Sequence, residues 1–251
     1  MLLDNVSWQV AEGERWVVMG PNGAGKTTLM QIAAARLHPT VGSVTILGEE
    51  LGAVDISELR TSIGWASGAL ADSIPASESV KDAVQTGAWS VTGRWRESYD
   101  TADEQRAQSL LADWGLGDLA QRTFGTLSEG ERKRTLVARS LMADPELLLL
   151  DEPAAGMDLG GRESLLGSLS LLAFDPGSPT TIMVTHHLEE IPLGFTHGLL
   201  LSQGRVVAAG PLPSVLTDAL VSTAFGVAIT VRESAGRWSA VASHGLEPHR
   251  L

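Results

Sequence analysis

The chain has 251 residues, a formal net charge of −12, no cysteine, 43% hydrophobic and 19% charged residues. That acidity argues against broad binding to a nucleic-acid backbone, so no nucleic-acid partner is expected, and the lack of cysteine excludes disulfides and thiolate metal sites, which fits a reducing compartment. Size allows one large domain or two small ones; no apolar run approaches the ~20 residues of a membrane helix, and the first residues lack a basic region followed by an apolar one.

In chain order, residues 6–10 alternate apolar and polar and predict a strand, Glu12-Gly13-Glu14 predicts a turn, and residues 15–19 predict an inward strand. Next comes Gly20-Pro21-Asn22-Gly23-Ala24-Gly25-Lys26-Thr27-Thr28, which reads G-x-x-x-x-G-K-T. Glycines without Cβ let the backbone turn sharply and approach an anion, and the loop N–H groups and helix start near Lys26 then face it. In that frame Lys26 would reach β- and γ-phosphates, and the Thr27 hydroxyl would ligate Mg²⁺. A helix is expected over 28–36, ended by His38-Pro39-Thr40, then short strands over 42–48 and 63–66.

Residues 72–143 change character. Helices are expected over 79–88, 101–114 and 128–142, with a polar loop over 93–99. Thr101 to Glu104 and Ser128 to Glu131 both fit a capping box. The strand pattern then returns. Residues 146–150 are apolar and run into Asp151-Glu152, and residues 180–185 run into His186-His187. A leucine-rich helix lies between them. Gln203-Gly204 joins a hairpin, a helix follows over 212–225, and a second hairpin closes on Ala235-Gly236. An acid at the end of a buried strand is where open α/β sheets place ligand groups, so Asp151 would hold Mg²⁺ through water and Glu152 would act on an attacking water.

This ordered set resembles the nucleotide-binding subunit of ATP-binding-cassette (ABC) proteins. The motifs are the phosphate loop Gly20 to Thr27, Leu127-Ser128-Glu129-Gly130-Glu131, Asp151-Glu152-Pro153, Ala155-Gly156-Met157-Asp158 and Val184-Thr185-His186. They run from about residue 2 to 225. The nearest branch resembled is the stand-alone cassettes of molybdate and iron uptake, on His186 to Pro192 and Gly236 to Ala240. The resemblance implies an α/β fold: a P-loop NTPase core with a mostly parallel sheet, an antiparallel β subdomain and an inserted α-helical subdomain. It implies an ATPase domain over 1–225, with the helical insertion at about 72–143, and a short hairpin extension over 226–251.

It also implies ATP and Mg²⁺ as cofactors, and a homodimer or paired cassette with two ATP molecules between the subunits. Lys26, Thr27, Asp151, Glu152 and His186 of one subunit would face Ser128 and Gly130 of the other. Glu152 would activate water, His186 would contact the γ-phosphate and hold Glu152, and Asp158 would communicate between sites. The partner would be a membrane-spanning permease, and the subunit would sit peripherally on the cytoplasmic, inner face of the cell membrane.

Three departures stand out. The glutamine that the family places after the Ile63-Gly64-aromatic run falls at Gly68, with Ser67 the nearest hydroxyl. The adenine-stacking aromatic would fall at or before Met1, and Trp8 and Trp16 read as core. Glu129 and Glu131 replace the commoner glycine and glutamine, and their side chains are expected to point into the cap and solvent. Two functions follow: an ATPase subunit powering a transporter, which cassette size and the stretch Gly204 to Pro211 make the first reading, or, as the alternative, a soluble ATP-driven cytoplasmic switch, which the missing glutamine favours modestly. DNA-repair cassettes are disfavoured because no sustained heptads occur.

Overall fold

The computed structural model describes residues 2–93 and 98–243. Strand β1 (Arg15–Met19) is buried along its whole length and enters the phosphate loop, which leads into α1 (Lys26–Ala33). A small ribbon, β2 (Thr45–Ile46) with β3 (Glu49–Glu50), comes next, then α2 (Ile56–Thr61), β4 (Ile63–Ala66) and α3 (Gly68–Ala71). The helical stretch holds α4 (Val80–Gln85), α5 (Thr101–Asp113) and α6 (Glu129–Ser140). The core resumes with β5 (Leu147–Asp151), α7 (Leu159–Phe174) and β6 (Thr180–Val184). The hairpin β7 (His197–Ser202) and β8 (Arg205–Pro211) precedes α8 (Leu212–Val215) and α9 (Asp218–Phe225), and β9 (Ile229–Ser234) with β10 (Arg237–Ala242) forms a separate ribbon.

The main sheet has the order β4-β5-β6-β1-β7-β8, parallel except for β8. Val17, Val18, Leu148, Leu149, Leu150, Val184 and Leu199 to Leu201 are fully buried. Such unbroken apolar runs suit strands covered on both faces. The order brings the C-terminal ends of β1, β5 and β6 side by side, which puts the phosphate loop, Asp151-Glu152 and Thr185-His186 at one edge of the sheet. The α/β class with a mostly parallel sheet is as expected. No helix among the described residues is long and apolar enough to cross a membrane.

Several local expectations are corrected. Residues 6–10 alternate in burial, and Val6, Trp8 and Val10 pack on the core, yet no strand forms there. Alternation reports which side chains are buried and says nothing of a hydrogen-bonding neighbour. Helix α1 ends at Ala33, short of residue 36, because Ala35 turns left-handed (φ 52°) and its carbonyl accepts the Arg60 guanidinium at 2.7 and 3.2 Å. The strand expected over 42–48 shrinks to β2. The box at the start of α5 begins one residue earlier than expected, on Asp100 with Asp103. The helix over 212–225 splits at Leu216-Thr217, where the Thr217 hydroxyl caps α9 by accepting from Leu220 N. Of the polar loop over 93–99, residues 94–97 lie outside the described residues, as do residues 244–251 of the C-terminal extension.

Candidate active site

The phosphate loop is held from behind. Gly20 (φ 152°) is packed so close to the Leu201 carbonyl that any Cβ would overlap it, and Gly25 (φ 100°) has Leu3 Cδ2 and Leu2 O at 2.7 and 2.8 Å from where its Cβ would stand. Ala24 N donates to Pro21 O at 3.1 Å, and Gly204 N donates to Ala24 O at 3.1 Å, which ties the loop to the β7–β8 turn. Asn22, Gly23 and Thr27 are exposed, and Thr28 is half-buried. No side chain caps α1 and no acid occupies its first turn. Its leading N–H groups are therefore open to an anion rather than consumed by a cap.

Lys26 is buried, and its Nζ donates to Gly20 O at 2.8 Å and Pro21 O at 3.0 Å. Burial holds its ammonium below the usual lysine range, against the pull of Glu152 and Asp151. Asp151 ends β5. Burial first, then the neighbouring Glu152 carboxylate, push its carboxyl above the ordinary range, while Lys26 and Lys133 oppose the rise. The strand ends therefore form one coupled electrostatic cluster.

Glu152 takes a left-handed backbone (φ 49°), uncommon for a residue with a side chain. Its N–H donates to Val184 O at 3.1 Å, and its carbonyl accepts from Lys133 Nζ at 3.1 Å. His186 Nδ1 lies 3.2 Å from Glu152 Oε1. His187 stays beside His186, ring centroids 4.1 Å apart.

Lys133 is the residue that sequence reasoning missed. Burial lowers its pKa, and Glu129, Glu152, Glu190 and Asp151 oppose that shift. The available signal was its position one helical turn after Glu129 on α6, from which it makes a 4.0 Å ion pair. Glu129, Lys133, Asp151, Glu152 and Gly68 line a common cavity of about 210 Å³. Glu129 is exposed, as expected, and in addition pairs with Lys133 at the rim of this cavity. Glu131 does serve the cap: Ser128 N donates to its Oε2 at 2.7 Å, and Glu131 N donates to Ser128 Oγ at 3.3 Å.

Ser128 and Gly130 start α6, and no described hydrogen bond or ion pair joins them to Lys26, Asp151, Glu152 or His186. Ser128 and Gly130 are thus not bonded to the strand-end cluster, although Glu129 between them lines the same cavity as Asp151 and Glu152. Asp158 caps α7, its Oδ1 accepting from Gly161 N at 2.7 Å. The Ser67 hydroxyl caps α3, and no glutamine side chain stands at Gly68. Trp16 is core, as expected: 4% exposed, edge-on to Trp8 and stacked on His197.

The family model described as ABC transporter matches residues 3–155. The chain is 40% identical over 231 residues to the uncharacterized ABC transporter ATP-binding protein YlmA of Bacillus subtilis, covering 92% of this chain and 87% of that one. It is 32% identical over 216 residues to the molybdate/tungstate import ATP-binding protein WtpC of Thermococcus kodakarensis, covering 86% of this chain and 62% of that one. Among solved structures, the dimeric post-hydrolysis state of the ATP-binding cassette MJ0796 bound to ADP and Pi superposes with a TM-score of 0.73 at 26% identity, covering 84% of this chain and 90% of that chain.

Proposed function

The chain belongs to the ABC transporter family, as an ATP-binding and ATP-hydrolysing subunit, and from that premise we propose that it works as half of an ATP-sandwich dimer powering a separate membrane-spanning partner. The observation that carries this reading is the convergence of Lys26, Asp151, Glu152 and His186 at one sheet edge, with His186 Nδ1 3.2 Å from Glu152 Oε1. Residues 1–225 form the ATPase unit in this reading, with the helical insertion at about 72–143.

The residues present fit a nucleotide triphosphate with Mg²⁺. Gly20 and Gly25 let the loop rest directly on Leu201, Leu2 and Leu3 behind it, where a Cβ would not fit, and the α1 N–H groups are uncapped and free for an anion. Gly20, Pro21, Asn22, Gly23, Ala24, Gly25, Lys26, Thr27 and Thr28 surround the phosphates in this reading. Thr27 and Asp151 would hold Mg²⁺, which when bound neutralises charge on the transferred phosphoryl group. One hydroxyl and one carboxylate acting through water suffice, because Mg²⁺ in such sites keeps waters and substrate phosphates as its other ligands.

Lys26 supplies a fixed positive charge within the loop. Glu152 Oε accepts the proton of the attacking water, and His186 Nδ1 fixes the orientation of that carboxylate. Catalysis then rests on positioning and on preset electrostatics. Ser128 and Gly130, not bonded to this cluster within one chain, serve the opposite subunit's nucleotide. Met157, whose Cε lies 3.1 Å from where a Cβ of Gly130 would stand, precedes Asp158, which is the link between sites in this reading. The dimeric state of MJ0796 supports this pairing. In this reading the protein sits peripherally on the inner face of the membrane, and WtpC makes an oxyanion such as molybdate a reasonable first cargo to test.

One observation favours a soluble nucleotide switch instead: Gly68 lines the shared cavity without a side chain, and Ser67 is committed to its cap. Affinity capture of the Glu152→Gln form from detergent-solubilised membranes with Mg-ATP separates the two. A stoichiometric membrane-spanning partner supports the transporter. Self-association or a soluble partner alone supports the switch.

A further inference from the structure

The ribbon of β9 and β10 plays no part in the site described above. Its turn, Ala235-Gly236, has φ values of 52° and 78°, the double left-handed pattern of a tight hairpin. A lone two-stranded ribbon is marginal in water, so what it leans on decides its role. One side is tied to α9. Val231 N donates to Asp218 Oδ1 at 2.8 Å, and Ile229 N donates to Ser222 Oγ at 2.9 Å.

The other side reaches toward the catalytic histidine. Arg237 Nη1 and Nη2 donate to Glu163 Oε2 and Oε1 at 2.9 and 3.1 Å, and Nη2 also donates to Glu189 O at 2.8 Å. Ala240 N donates to Glu189 Oε1 at 3.1 Å. Glu163 belongs to α7, the helix capped by Asp158. Glu189 belongs to the turn Leu188–Glu190, directly after His186-His187. That turn is anchored to β6 from within: the Thr185 hydroxyl donates to buried Glu190, His187 N donates to Thr185 Oγ1 at 3.1 Å, and Glu190 N donates to His187 O at 3.2 Å.

Stability alone does not account for this arrangement. The Arg237 and Glu163 side chains are 34% and 43% exposed, and pairs so placed contribute only about 0–1 kcal/mol. A planar guanidinium fork held on three acceptors from two elements supplies orientation instead. We propose that Arg237 is a positioning residue for ATP hydrolysis: it fastens α7 to the 188–190 turn and so holds the backbone that carries His186 within reach of Glu152. This rests on the ATPase reading above.

The test uses the full chain as wild type, Arg237→Ala, Arg237→Lys and Glu163→Gln. Hydrogen exchange is followed by mass spectrometry alongside steady-state ATPase assays and thermal unfolding. In Arg237→Ala, exchange over residues 186–191 is expected to rise about tenfold while β5 and β6 stay protected. Turnover kcat is expected to fall about 3–10-fold with KM for ATP changed less than about twofold, and Arg237→Lys recovers part of the loss. Unchanged exchange over 186–191 overturns the proposal. So does a fall in kcat that merely follows loss of folded protein. Should the wild type itself fail to hydrolyse ATP, the ATPase reading falls, and the exchange result still decides whether Arg237 holds this turn.

Discussion

Glu152 and His186, 34 residues apart in sequence, meet through Oε1 and Nδ1 at 3.2 Å. The contact depends on two neighbouring parallel strands, because β5 delivers one residue and β6 the other. The Glu152 backbone adds to it: a left-handed conformation at φ 49° is held by the N–H bond to Val184 O and by Lys133 on the carbonyl. Strain of this kind persists only where the surroundings over-determine it, and it clusters at working sites.

Glu152→Gln keeps the shape and removes the carboxylate proposed as the base. Turnover should fall roughly 10²–10⁴-fold while ATP affinity is retained. Steady-state phosphate release and nucleotide titration check both halves. Near-normal turnover would remove Glu152 from the role of base.

Lys26 gives a pH prediction with a defined sign. Burial lowers its pKa in the free protein, and phosphate charge raises it on binding. ATP affinity should be full below the free-protein value and decline as pH rises from there toward the bound value. That window lies on the alkaline side of neutrality, above the lowered free-protein value. Titration calorimetry from about pH 7 to about pH 10 checks it. Lys26→Ala should weaken binding throughout and remove the alkaline decline; an affinity independent of pH in the wild type would contradict the assignment.

The sequence made the phosphate loop, the strand-end acids and the strand-end histidine legible because each couples a chemical requirement to a local break in hydrophobic pattern. The α6 cap was legible for the same reason: Ser128 and Glu131 satisfy one another within a single turn. What could not be read depends on partners distant in the chain. Residues 6–10 bury alternate side chains without a strand beside them. The end of α1 is set by Arg60, and the shared cavity depends on Lys133. The grip of Arg237 on Glu163 and Glu189 joins positions that no local pattern relates.

The Ser128–Glu131 box separates stability from catalysis. Glu131 is held below the usual carboxyl range chiefly by the Ser128 backbone N–H, then by the Ser128 hydroxyl and by Arg122 and Arg134, against burial. A lowered carboxyl pKa contributes stability that is present above the unfolded value of about 4.3 and lost as pH falls through the folded value. Glu131→Gln should therefore flatten the acid limb of the stability curve. Ser128→Ala should cost about 0.5–2 kcal/mol by denaturant unfolding. If Ser128 also serves the opposite subunit's nucleotide, its turnover loss will exceed what that unfolding cost explains when both are measured at neutral pH. A turnover loss no larger than the folded fraction predicts would leave Ser128 with the cap alone.

Two glycines of the phosphate loop should respond differently to the same added methyl group. Gly20 combines φ 152° with a Cβ position that overlaps the Leu201 carbonyl, so Ala there must displace β7 or distort the loop. Gly23 has φ 80° but open space around it, so Ala there bears only the left-handed conformational cost. That cost is about 1–2 kcal/mol, whereas backbone overlap adds to it and should bring Gly20→Ala to about 4 kcal/mol or more. Thermal unfolding with and without ATP distinguishes them: Gly20→Ala should lose both stability and the ATP-induced rise in Tm, while Gly23→Ala should keep most of its fold. Equal losses at the two positions would mean that the loop's shape is set from within its own backbone and not by the strand it rests on.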